Sequence, residues 1–240
     1  MLKIKSRLVT GSERSVVVKK NIIVSFAIRG FSIIVSLMLV PMTLGYVSNE
    51  LYGIWLTLSS VMVWLGFFDI GFTLGLKNKL TEAIALKDWG KGKSLVSTTY
   101  AMMFFIFIPI CFLFELLIPF VKWAEFLNVN VQYNDEITRV LYILVAFFCM
   151  QMIVNVLTSV IAAFQKVALS TVFPVIGNVL SLIAIWLLTK FCLPSLVALA
   201  FAISAMPIIV IVIASVILYC GKFKMVSPSY KYIRSEERRV

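Results

Sequence analysis

Three ionisable residues fall inside long apolar runs of this chain: Arg29, Asp69 and Glu115. A charge is expensive to hold in lipid, so such residues face a bundle interior or a wet cavity and are the first candidates for binding or gating. Arg29 follows Lys20 by nine residues and Asp69 precedes Lys77 by eight on the next apolar run. At helical rise both lie roughly 12 to 14 Å from the same boundary, so they can meet. In one reading they form a buried pair that lets both helices insert. In the other, Arg29 lines a water-filled cavity and takes an anionic group on its planar fork, with Asp69 setting its position. The cavity role is favoured for Arg29 and the structural role for Asp69. Glu115 sits just before Pro119 and Lys122, near the opposite interface, as either a solvated carboxylate or a cavity group.

Two amides show a similar match in depth. Asn155 lies eleven residues before Lys166, and Asn178 lies eleven after Val167 on the following run. An interhelical amide hydrogen bond is favoured over substrate contact. Histidine is absent, which removes the commonest general base and metal ligand. Cys111, Cys149, Cys192 and Cys220 form no C-x-x-C pair and read as small thiols in apolar surroundings. No catalytic residue, metal or cofactor is expected.

The elements that position these groups are helices spanning a membrane. With 61% hydrophobic and 14% charged residues and a mean hydropathy of +1.02, the chain is too apolar for a soluble domain of its length. Its long apolar runs fit helical spans, whereas a barrel would show short alternating segments. Six spans are expected, near residues 21–46, 51–75, 96–120, 138–164, 168–190 and 195–219. They would form one bundle over 21–219, between a basic terminus at 1–20 and a tail at 220–240. The connectors on one side carry eighteen Lys and Arg against three on the other, which predicts that both termini are cytoplasmic. The formal charge of +11 is therefore read as a topology signal, and no nucleic-acid partner is expected.

Leu80, Ala83, Ile84 and Leu86 recur at helical spacing among lysines, which predicts a short amphipathic helix on the cytoplasmic surface. Gly71 and Gly75 form a G-x-x-x-G that would allow close helix approach one turn from Asp69. Pro41, Pro109, Pro174 and Pro207 fall within or near the ends of four spans, where they permit bends.

The stretches "YGIWLTLSS", "WLGFFDIGFTLGLKNKLTEA" and "VSTTY", after an Arg-bearing first span, resemble bacterial polysaccharide-export proteins of the O-antigen flippase type. These belong to the multidrug, oligosaccharide-lipid and polysaccharide flippase superfamily, and the likeness covers about residues 14–232. The resemblance implies a non-enzymatic transporter in the bacterial inner membrane. It would flip an undecaprenyl-pyrophosphate-linked oligosaccharide between leaflets by alternating access of two helix bundles. Its partners would be that glycan lipid, membrane lipids and polysaccharide polymerase or export proteins. Arg29 matches the membrane-embedded arginine of the family's first helix; no other site residue carries over. A cation-coupled drug or metabolite exporter of the same superfamily is the alternative, and a membrane-embedded glycan-modifying enzyme is disfavoured.

Members of the family have 12 to 14 spans, so the resemblance implies that this chain is the N-terminal lobe of such a transporter. The last seven residues, "RSEERRV", coincide with the translation of a common sequencing adapter. Residues 234–240 are accordingly expected to be an artefact of assembly.

Overall fold

The structure is a computed structural model. It describes the backbone of residues 2–66 and 70–233, and the side chains of residues 24–66, 71 and 73–233. The expectations for Asp69 and for residues 234–240 therefore concern positions outside the described residues.

Every regular element among the described residues is helical. In chain order they are α1 (Leu2–Tyr46), α2 (Asn49–Leu65), α3 (Ile70–Ala85), α4 (Trp89–Leu117), α5 (Trp123–Phe126), α6 (Asn134–Val154), α7 (Val156–Ala163), α8 (Val167–Phe191) and α9 (Leu196–Cys220). Among the described residues five stretches are long and apolar enough to cross a membrane: Val24–Tyr46, Trp89–Phe120, Val131–Ala163, Val167–Phe191 and Leu196–Cys220. The chain is an all-α integral membrane protein.

These stretches coincide with five of the six expected spans. The sixth, at 51–75, is divided between α2, of 17 residues, and the start of α3. Helix α2 ends at its C-cap Gly66, so one continuous apolar run in the sequence serves two helices.

The packed centre is formed by α4, α6, α7, α8 and α9, with α3 laid against α4 and α7. Helix α1 packs along α8 and meets α2 over little more than the turn that joins them. Between helices in lipid the hydrophobic drive is weak, so close van der Waals packing and interhelical hydrogen bonds carry the association. The tightest crossing is between α8 and α9. Gly177 faces the backbone of Pro207, where an added Cβ would stand 2.5 Å from the proline Cα. One turn on, buried Ser181 Oγ donates to Ala202 O at 3.2 Å.

By contrast, a Cβ added at Gly71 or Gly75 would meet no described atom within 4 Å. Among the described residues the close helix approach is made at Gly177.

The segment expected to be a surface amphipathic helix is helical within α3. It ends in a tight turn where Lys87 adopts φ 56, and Asp88 Oδ1 then caps α4 by accepting from Lys91 N at 2.9 Å. Leu80 and Ala83 are fully buried within the bundle, whereas Leu86 is exposed. The apolar stripe of α3 thus packs on α4 and α7.

At the end of the bundle remote from the Lys87 turn, Tyr46 OH donates to Leu193 O at 2.8 Å, joining α1 to the α8–α9 connection. Glu136, in the first turn of α6, accepts from Leu196 N at 2.7 Å and so caps α9 from a neighbouring helix. A carboxylate at a helix N-terminus also meets the positive end of the helix dipole. Glu136→Ala is expected to cost about 1.5 to 3 kcal/mol, as for hydrogen bonds to charged groups, because it strands a donor beside buried Leu196. Glu136→Gln keeps an acceptor and should lose less; thermal unfolding of the two variants in one detergent checks the order.

Candidate functional site

Arg29 lies on the exposed side of α1, away from the packed centre. Ser25, Ser32 and Ser36 stand at helical spacing from it and form one polar stripe, in which Ser36 is exposed and Ser25 and Ser32 are half-buried. The stripe borders the face of α1 that carries buried Val35 and Thr43.

Helix α2 has a comparable margin. Gly53, Thr57 and Ser60 share one exposed face, with Thr57 Oγ1 donating to Gly53 O at 3.0 Å and Ser60 Oγ to Leu56 O at 2.6 Å. Sequence reasoning singled out Arg29 and missed these flanking hydroxyls, although the spacing 25, 29, 32, 36 was available to it. With its five-donor fork, Arg29 can hold a phosphate or carboxylate in two bonds at once.

Among the described residues, Asn155, Asn178 and Glu115 make no hydrogen bond or ion pair with Arg29. Asn155 stands at the junction of α6 and α7, where its Oδ1 accepts from Gln151 Nε2 at 2.6 Å. Its carbonyl receives both the N–H and the hydroxyl of Thr158, at 3.0 and 2.7 Å. Its interactions are thus local, and they fix the break between the two helices. Asn178 is half-buried on α8, and among the described residues the two amides share no hydrogen bond. Glu115, half-buried on α4, accepts from Cys111 Sγ at 3.6 Å.

All four cysteines are free: Cys149 is buried, Cys111 half-buried, and Cys192 and Cys220 are exposed. Among the described residues no three His, Cys, Asp or Glu side chains stand together as metal ligands.

A second cluster, which sequence reasoning also missed, occupies the end of the bundle where α7 turns into α8 and α9 ends. Lys166 Nζ lies 5.3 Å over the Phe223 ring, and that ring packs on Phe164 with centroids 4.7 Å apart. Lys222, the neighbour of Phe223, stands within side-chain contact of Lys166. Both lysines sit on pinned turns. Gln165 adopts φ 59 while Lys166 N donates to Ile161 O, and Phe223 N donates to Leu218 O at 2.8 Å.

Desolvation, together with the Lys222 ammonium beside it, lowers the pKa of Lys166 from its ordinary 10.5. In the window between that lowered value and 10.5, the folded chain binds fewer protons at this group than the unfolded chain. Stability contributed here therefore rises with pH through that window. In detergent free of anionic lipid, this rise is expected in unfolding measurements on the native chain. It should shrink in Lys222→Gln, which removes the neighbouring charge.

Beyond this cluster the chain returns across α4. Ser229 N donates to Ser97 Oγ at 2.9 Å, Ser94 Oγ donates to Tyr232 O at 3.2 Å, and Lys93 Nζ lies 5.0 Å over the Tyr232 ring. Val226 is fully buried against Gly92, where an added Cβ would stand 3.2 Å from Val226 Cγ1. Residues 221–233 thus form a strap that ties the end of α9 to the start of α4.

These features define a multi-helix membrane protein with a polar, arginine-bearing margin on its first helix. Comparison with protein families, with curated proteins and with solved structures finds no match.

Proposed function

We propose that the chain is a lobe of a membrane transporter that flips an undecaprenyl-pyrophosphate-linked oligosaccharide across the bacterial inner membrane for polysaccharide export. The observation that supports this reading is the placement of Arg29. It is an exposed guanidinium within a membrane-crossing stretch, flanked by serines and outside the packed core. A charge so placed is costly in lipid, and a pyrophosphate is an anion that a guanidinium engages in two parallel bonds. In this reading both termini lie in the cytoplasm and the stripe of α1 faces a cleft between two lobes.

Cells lacking the gene are expected to accumulate lipid-linked repeat units, and the native gene to clear them. Arg29→Gln should fail to restore export while the protein stays folded in the membrane. Arg29→Lys, which keeps the charge and loses the fork, should restore it only in part. Full export with Arg29→Lys would remove the bidentate contact from the proposal. No accumulation in the deletion strain would remove the substrate.

A further inference from the structure

The geometry points to a binding site for a phosphate group, as carried by an anionic lipid headgroup, between Lys166 and Lys222. Two cationic side chains meet here, one from the α7–α8 turn and one from the turn after α9, and the carboxylates among the described residues make no ion pair with either. Like charges in contact repel, so the arrangement lacks an anion that would satisfy both. The carriers of the two groups are not free to separate. Lys166 lies on the Phe223 ring, Phe223 is only 1% exposed, and hydrogen bonds hold both turns.

The position selects the source of the phosphate. The cluster follows directly on two membrane-crossing stretches, Val131–Ala163 and Leu196–Cys220, and precedes a third that begins at Val167. It therefore lies at headgroup depth, where basic pockets between helices take anionic lipids. Lys222 is exposed and offers entry, whereas Lys166 is half-buried and partly desolvated by the Phe164–Phe223 pair. A phosphate bridging the two ammonium groups would cancel their repulsion and fasten the strap to α8. This inference stands apart from the transport reading and needs neither Arg29 nor a glycan.

The test is to titrate the purified full chain in neutral detergent with phosphatidylglycerol, phosphatidylcholine or inorganic phosphate, reading bound lipid by native mass spectrometry and the shift in unfolding temperature. Phosphatidylglycerol should bind and stabilise, and phosphatidylcholine should do neither. Affinity should fall about fivefold in Lys222→Gln and about twenty-fivefold in Lys166→Gln/Lys222→Gln, following the usual attraction per lysine near an anionic surface. Lys166→Arg/Lys222→Arg should keep it. Lys222→Gln, an exposed substitution, carries the test if the double variant does not fold.

The control is Lys87→Gln/Lys91→Gln, two exposed lysines outside the pair. Equal losses in the control and in the paired variants would show general attraction to a basic surface and overturn the site. So would an unchanged affinity in Lys222→Gln. If inorganic phosphate reproduces the stabilisation with the same dependence on the pair, the site stands and its ligand is a free anion.

Discussion

Gly177→Ala is expected to destabilise the bundle by about 2 kcal/mol, although alanine is the better helix former. Helix propensity alone favours the change by about 1 kcal/mol. Against it stands the α8–α9 crossing, where the new Cβ would lie 2.5 Å from Pro207 Cα and 2.9 Å from its Cβ. The nearest atom is backbone, so no rotamer change relieves the clash, and the helices must move apart. Overpacking of this kind costs about 3 kcal/mol at the upper end of its usual range, which outweighs the propensity gain.

Separation would also lengthen the bond from Ser181 Oγ to Ala202 O, yet an interhelical hydrogen bond of this sort is worth only about 0.6 kcal/mol. Close packing is therefore the larger contribution at this crossing. Gly53→Ala is the matched control. Its Cβ would meet nothing within 4 Å, so it should be neutral or stabilising by up to about 1 kcal/mol. Reversible unfolding of both variants in mixed micelles checks the pair. Equal stability of Gly177→Ala and the native chain would mean that α8 and α9 pack less closely than described.

The helices at this crossing were legible from hydropathy alone. Expected spans at 168–190 and 195–219 coincide with Val167–Phe191 and Leu196–Cys220, because an unbroken apolar run flanked by polar turns admits few other readings. The division of 51–75 was not legible. Apolar residues continue through Gly66, and a hydropathy reading registers where a run stays apolar rather than where a helix ends. What the apolar stripe of α3 packs against was not legible for a related reason. A stripe such as Leu80 and Ala83 has the same period whether it faces lipid or another helix, and only the tertiary structure shows it buried.

Of the candidate site, Arg29 could be singled out because a charge in an apolar run is conspicuous, and its serine stripe could have been found by the same spacing. Gly177 and Ser181 are small residues one turn apart, and nothing local tells that pair from Gly71 and Gly75. Lys166 and Lys222, Glu136 and Leu196, and Ser97 and Ser229 are far apart in the chain. No local pattern announces that they meet.

Phe223→Ala is expected to release the strap without unfolding the bundle. The ring is almost fully buried between Phe164 and the Lys166 side chain, and truncating a buried phenylalanine costs about 3 to 5 kcal/mol. The remaining attachments are the hydrogen bonds at Ser97 and Ser94 and the buried Val226. The hydrogen bonds contribute about 0.5 to 1.5 kcal/mol each, so they do not make up the loss. The bundle itself is held elsewhere, by the α8–α9 and α6–α9 contacts. The weakest unit should therefore open first, as sub-global unfolding does. Limited trypsin digestion reads this directly at Lys222, Lys224 and Lys231. Cleavage there should speed up by about a hundredfold, the equivalent of roughly 3 kcal/mol at tenfold per 1.4. Ser97→Ala, which removes one hydrogen bond to the strap, should give about a fivefold change. Phe223→Leu, which refills part of the cavity, should fall between the two. If cleavage stays slow while the unfolding temperature of the whole chain falls, then Phe223 supports the α7–α9 packing itself and the strap is held by Val226 and the serines.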